Sequence, residues 1–207
     1  MRKLAEKLRS AGYKVLETRE PGGTATGEKI RRVLLDSKTE GLSPMAEMAL
    51  MFASRAQHIA EVIQPGLAQG KIVLCDRFTD STDAYQGSGR KLGSDVVLNL
   101  HRILCGNLQP DLTILLDSDP AKSLGRARSR NQVDASSAGK SGGKDADENR
   151  FEQENRAFFA RVHAGYMAIA KREPDRVVVI DASGTPAETQ RKVVATVESK
   201  LGLRVDQ

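Results

Sequence analysis

The chain predicts an α/β fold, a doubly wound parallel sheet with flanking helices, on three observations. Strand-like and helix-like segments alternate from one end to the other. The apolar run Ile72-Val73-Leu74-Cys75 stops abruptly at Asp76-Arg77, as the C-terminal end of a central parallel strand does, and ligands bind at such ends. There is no internal repeat, and the 207 residues suffice for one core, so residues 1–207 are read as a single domain. Its one low-complexity stretch, residues 131–149, is rich in Ala, Ser, Gly, Lys and Asp and is read as a lid insertion spanning about 126–150.

Each element has its own local reason. Leu4, Ala5 and Leu8 mark one face of an opening helix that Gly12 ends. Residues 13–18 read as a strand, and 27–36 as a short helix with Ile30, Val33 and Leu34 on one face. Ser43-Pro44 is an N-cap with Pro at the first helical position. It opens a long helix carrying Met48, Met51, Phe52, Arg55, Ile59 and Ile63, which Gln64-Pro65-Gly66 bends or restarts. The strand at 71–75 follows, then a helix of about 94–105 capped by Ser94, and a strand at 111–117. A helix of about 119–130, a helix of about 150–171, a strand at 176–181 and a last helix complete the chain. Thr185-Pro186-Ala187-Glu188 gives that last helix a capping box.

Composition removes several classes of function. Hydrophobic content of 39% and charged content of 29% are ordinary for a globular protein, and no apolar run approaches the length of a membrane span. No signal peptide is visible, and two cysteines suit a reduced cytoplasm without pairing. A net charge of +5 fits nucleotides as well as nucleic acid, while 4% aromatics and no Trp argue against a platform for single strands.

The residues that carry chemistry cluster at strand ends. Asp76 suits a metal held through water, and Arg77 has the planar fork that matches phosphate oxygens. Ser81, Thr82, Tyr85 and Gln86 follow on a helical turn. Phe52 and Arg55 are three apart and share a helix face. Arg126, Arg128 and Arg130 are spaced by two and fan around a helix beside the polar loop. His58, His101 and His163 show no ligand spacing and receive no role.

Arg19-Glu20-Pro21-Gly22-Gly23-Thr24, the run from Phe52 to His58, the run from Asp76 to Gly87, the arginine-rich stretch and the run from Arg150 to Glu154 occur in the order of the bacterial thymidylate kinases, which the chain resembles. The resemblance implies a P-loop NTPase-like nucleoside monophosphate kinase fold that transfers a phosphoryl group from ATP to dTMP with Mg²⁺. It places Arg19 and Glu20 near the acceptor nucleotide, stacks Phe52 on thymine and sets Arg55 on the base edge. It makes Arg77 the clamp on the acceptor phosphate and Asp76 the organiser of Mg²⁺. Ser81, Thr82, Tyr85 and Gln86 then read base and sugar, with Tyr85 crowding a 2′-hydroxyl. Arg126, Arg128 and Arg130 become lid arginines that neutralise charge on the transferred group, and Arg150 and Glu152 follow the lid. Asn149 departs from the Asp of many relatives.

The family's first strand and its G-x-x-x-x-G-K-[ST] loop have no counterpart here. Gly139-Lys140-Ser141 has Asp134 where the first glycine belongs, and Gly22 to Gly27 is followed by Glu28 rather than Lys. The expectation is that roughly 15 residues, a strand and its loop, precede Met1 and that the chain as given is inactive as a kinase. The resemblance further implies a cytoplasmic homodimer whose interface uses the apolar helix from residue 44, with no membrane or nucleic-acid partner. The alternatives are a kinase for another deoxynucleotide, or a non-catalytic nucleotide- or nucleic-acid-binding protein, whose binding to nucleic acid would weaken steeply with salt.

Overall fold

The computed structural model describes residues 1–36, 38–39, 41–118 and 150–205. Helix α1 (Arg2–Ser10) leads to strand β1 (Val15–Arg19) and helix α2 (Ala25–Leu35). Helix α3 (Pro44–His58) continues through a π-helical turn, Ile59–Ile63, into α4 (Gln64–Ala68) and strand β2 (Ile72–Asp76). A short α5 (Thr79–Thr82) passes into a second π-helical turn, Asp83–Gly89. Then come α6 (Ser94–Cys105), strand β3 (Thr113–Asp117), a 3₁₀ turn at Arg150–Gln153, α7 (Arg156–Arg172), strand β4 (Val177–Asp181) and α8 (Pro186–Leu201).

The strands pair in parallel, β1 with β2 from Val15 opposite Ile72 to Arg19 opposite Asp76, and β3 with β4 from Thr113 opposite Val177 to Asp117 opposite Asp181. Among the described residues no ladder joins the two pairs, so the single sheet expected from the alternation is two half-sheets. Packing unites them. Leu4 and Leu8 of α1 and Val194 and Val197 of α8 cover Ile72 and Leu74 of β2 together with Ile114 of β3. The alternate residue Val73 points to the opposite face, against Met48, Phe52 and Ile59 of the α3 stretch and Val97 of α6. On that face Leu115 and Val177 meet Phe158, Val162 and Ile169 of α7. Helices therefore flank both faces, as a doubly wound fold requires.

A polar tie crosses between the halves. Arg176, just before β4, donates from Nη1 and Nη2 to the two Asp80 oxygens in α5, each at 2.8 Å. Thr113 at the start of β3 donates to the same carboxylate at 2.8 Å.

Local chemistry accounts for most boundaries. Thr24, Ser43, Asn155 and Thr185 cap α2, α3, α7 and α8 with side-chain oxygens, and the capping box at Thr185 and Glu188 is complete. Three expectations change. Ser94 begins α6 rather than capping it; Gly93 is the N-cap, and the Ser94 hydroxyl donates to Asp83 at 2.6 Å. The helix expected from residue 150 starts at Arg156, where Asn155 caps it. On α2 only Leu34 of the apolar trio is buried, and Val33 is 47% exposed. Met48 and Phe52 of α3 lie in the core, while Met45 at the start of the same helix is 50% exposed. Ile103 and Leu104 of α6 are further exposed apolar side chains. The helix expected at 119–130 and the loop 131–149 lie outside the described residues.

Candidate active site

A cleft of about 570 Å³ opens at the C-terminal ends of β1, β2 and β3, lined there by Glu20, Arg77, Phe78 and Leu115 to Ser118. Strand ends supply it because side chains and backbone leave the sheet there without further ladder partners.

The floor is built around Arg55. Its Nε donates to Glu20 Oε2 at 2.7 Å and its Nη2 to Thr82 Oγ1 at 2.9 Å. The guanidinium lies over the rings of Phe52 and Phe78, 5.0 and 5.2 Å from their centres. Arg55 Nη1 is buried with no partner among the described residues. The other Glu20 oxygen meets His58 Nδ1 at 2.9 Å, and His58 Nε2 meets Thr18 Oγ1 at 2.6 Å. A Cβ on Gly23 would lie 2.6 Å from the His58 ring, and its φ of +79° is left-handed, so the turn after β1 needs glycine there. Glu20, His58 and Cys75 bring a carboxylate, an imidazole and a thiol within 4.8 Å of one another. Glu20 is already engaged by Arg55, and burial pushes the Cys75 thiol up, which keeps it protonated. The trio is a packing arrangement rather than a metal centre.

The opposite wall is aromatic. Arg77 follows β2 with a left-handed backbone, φ +67°, an uncommon conformation for a residue with a Cβ. Its guanidinium sits over the Tyr85 ring at 5.0 Å and donates to the Tyr85 hydroxyl at 3.4 Å. Phe151, Phe158 and Tyr166 surround Tyr85 edge-on, with ring centres 5.5, 6.0 and 6.4 Å away. Burial raises the Tyr166 phenol, which stays protonated and donates to Ser81 Oγ at 2.8 Å.

Behind Tyr85, Gln86 donates from Nε2 to Glu47 Oε1 at 2.7 Å, and its own Oε1 is buried without a partner among the described residues. Glu47 also accepts from Arg90 Nε and Nη2 at 3.1 and 3.0 Å and from Arg150 Nη2 at 2.7 Å. Burial alone would raise the Glu47 carboxyl; the bonds from Arg90, Gln86 and Arg150 outweigh it and hold it below the usual carboxylate range.

Of the residues singled out in the sequence, Glu20, Arg55, Arg77, Ser81, Thr82, Tyr85, Gln86 and Glu152 line this cleft together. Arg19 turns outward to Glu28 at 3.1 Å. Asp76 is exposed at the strand end, outside the lining. Arg150 points to Glu47 and to the Leu34 carbonyl, at 2.5 Å, rather than into the cleft. Arg126, Arg128 and Arg130 lie outside the described residues. Phe52, read as the stacking ring, is fully buried and does not reach the cleft. The helix phase explains this: positions 48, 52 and 59 face the core, whereas Met51 shares the cleft with Arg55 four residues on. The i, i+4 spacing of Met51 and Arg55 was the available signal. Phe159, His163 and Tyr166 of α7 also line the cleft, and no local motif announced them.

A parallel α/β domain with a deep, mixed aromatic and guanidinium cleft at its strand ends is a nucleotide-kinase type of architecture. A family model described as Thymidylate kinase matches residues 1–193. Similar proteins include the thymidylate kinase of Trichlorobacter lovleyi, 46% identical over 202 residues that span 98% of this chain and 91% of that protein. That of Solidesulfovibrio magneticus is 48% identical over 186 residues, 90% of this chain and 85% of the relative. The crystal structure of thymidylate kinase from Ehrlichia chaffeensis superposes with a TM-score of 0.70 at 31% identity, covering 95% of this chain and 88% of that one. The chain belongs to the thymidylate kinase family.

Proposed function

We propose that the cleft binds dTMP as the acceptor of phosphoryl transfer from ATP, the reaction of the thymidylate kinase family to which the chain belongs. The observation that carries the reading is a pair of buried polar atoms on two cleft-lining residues, the Arg55 Nη1 donor and the Gln86 Oε1 acceptor, neither with a partner among the described residues. A thymine edge offers the complement, an O4 acceptor beside an N3–H donor, and buried polar atoms without partners are costly until such a ligand fills them. Phe78 and Met51 give the base its apolar contact, Tyr85 meets the sugar, and Arg77 takes the phosphate.

Asp76 is an exposed carboxylate with no side-chain hydrogen bond among the described residues. One carboxylate together with substrate phosphates is the set Mg²⁺ ordinarily takes, and the ion when bound offsets phosphate charge. Arg126, Arg128 and Arg130 are assigned to the transferred phosphoryl group and Glu152 to the rim of the same site. The homodimer and a cytoplasmic location belong to the same reading, with Ile103 and Leu104 of α6 as the apolar face. Among the described residues no helix is long and apolar enough to cross a membrane.

Calorimetry with the four deoxynucleoside monophosphates tests the reading, because acceptor binding calls only on the cleft described above. Tighter binding of dTMP than of dCMP, dAMP and dGMP is expected. Equal affinities would refute it.

A further inference from the structure

Glu47 lies behind the cleft and outside its lining, with a side chain only 1% exposed. Two guanidiniums, Arg90 and Arg150, hold its carboxylate at 3.0 and 2.7 Å. An ionised carboxylate only accepts hydrogen bonds. The Gln86 atom 2.7 Å from Glu47 Oε1 must therefore be the amide nitrogen, and the carbonyl is forced to the other side of the side chain. That carbonyl is the buried acceptor without a partner among the described residues.

We infer that Glu47 is a specificity-positioning residue: by accepting from the Gln86 amide it locks the side chain with an acceptor toward the base, so that a ring N–H is admitted and a ring nitrogen lone pair is refused. The inference rests on the thymidylate reading of the cleft and deepens it. Thymine carries N–H at the ring position where cytosine carries a lone pair, and a neutral Gln86 free to turn over would serve either. The discrimination is written one residue behind the ligand, in a carboxylate that never touches it. Arg90 and Arg150 keep that carboxylate charged, which removes the option of its turning donor.

The experiment is calorimetric titration of the chain with dTMP and with dCMP, in wild type, Glu47→Gln and Glu47→Asp. In Glu47→Gln the new amide can offer NH₂ to the Gln86 carbonyl, so that the Gln86 amide turns and presents its own NH₂ to the base. The preference for dTMP over dCMP is expected to fall by about tenfold or more, the worth of one hydrogen bond exchanged for a repulsion, with dCMP binding gained. Glu47→Asp keeps an acceptor-only group and is expected to hold the ratio within about threefold while weakening both ligands. A ratio unchanged in a folded Glu47→Gln overturns the inference, as does an equal loss in Glu47→Asp, which would mark a purely structural role. Should Glu47→Gln fail to fold, the wild-type side-chain amide of Gln86, assigned by comparison with Gln86→Leu, becomes the readout. One proton resonance shifted downfield and unmoved by dTMP supports the lock; an amide that reorients on dTMP addition overturns it. Equal wild-type affinities for dTMP and dCMP would refute the underlying reading, and the inference with it.

Discussion

Asp80→Asn removes one charge from the tie between the two half-sheets. In the native protein two parallel N–H···O bonds of 2.8 Å join Arg176 to Asp80, and the two side chains are 13% and 12% exposed. A fully exposed pair would contribute well under about 1 kcal/mol, and breaking a fully buried one costs about 3–5 kcal/mol. Here Arg176 keeps a second partner, Glu173 at 2.7 Å, so its charge is not left bare. The expected cost at neutral pH is roughly 2–3 kcal/mol, a large share of the 5–15 typical of a domain. The cost should depend on pH in a defined direction. Burial alone would raise the Asp80 carboxyl, but hydrogen bonds from Arg176 and Thr113 and the Arg176 charge hold it below its usual value. A depressed native value means the stabilisation is fully present above the unfolded-state value near 4 and is lost as pH falls through the native one. The amide introduced by Asp80→Asn does not titrate, so the gap between wild type and variant should be widest at pH 6–7 and narrow steadily below about pH 4. Urea unfolding followed by circular dichroism at pH 7, 5, 4 and 3 measures it. A gap under about 0.5 kcal/mol at pH 7, or one that stays constant to pH 3, would refute the reasoning.

Three further changes probe other parts of the molecule. Arg77→Ala should weaken dTMP binding by roughly 1.5–3 kcal/mol, the loss of a charge-assisted contact, and an unchanged calorimetric affinity would count against the clamp. Gly165→Ala would bring a Cβ within 2.5 Å of Ser88 Oγ and 3.2 Å of the Ala84 backbone, where α7 packs on the second π-helical turn. About 1–3 kcal/mol should be lost despite the better helix former, read as a lower Tm. Thr185→Ala breaks the capping box of α8 and should cost about 1 kcal/mol in urea unfolding while leaving dTMP affinity unaltered.

What could be read from the sequence was mainly what is local. The end of β2 was visible because an apolar run meets Asp76 and Arg77, and the capping residues before α3 and α8 act within one turn. Phe52 was read as the stacking ring from the order of motifs in the resemblance, which carries no information on helix phase. Phe52 and Arg55 do touch, ring to guanidinium, but inside the core rather than in the cleft. The walls supplied by α7 were invisible because Phe159, His163 and Tyr166 reach the site only through packing of segments some 80 residues apart. Glu47 was unreadable for a related reason. A lone acid on an amphipathic helix reads as solvent-facing, and its three partners come from residues 86, 90 and 150. The π-helical turns have no sequence signature of their own, and they change the phase of everything after them.

The break between β2 and β3 has a consequence for how the molecule opens. Backbone hydrogen bonds propagate order along a sheet, and among the described residues propagation stops at an inner edge on each side. Among the described residues the β1–β2 half, with α3 and α6, and the β3–β4 half, with α7, are then joined without a ladder: by the α1–α8 apolar cluster, by α7 packed on the second π-helical turn around Ala84 and Phe158, and by the Asp80–Arg176 and Asp83–Arg172 ties. Such a joint lets one half loosen while the other stays protected. The two halves should behave as separate cooperative units in amide hydrogen exchange, with unequal protection in β1–β2 and β3–β4, and with β2 and β3 exchanging at rates set by their own halves. The cleft straddles that joint, with Arg55 and Arg77 on one unit and Leu115 and Tyr166 on the other. A ligand seated in it would act as the missing cross-piece, equalising the protection of the two units as it binds.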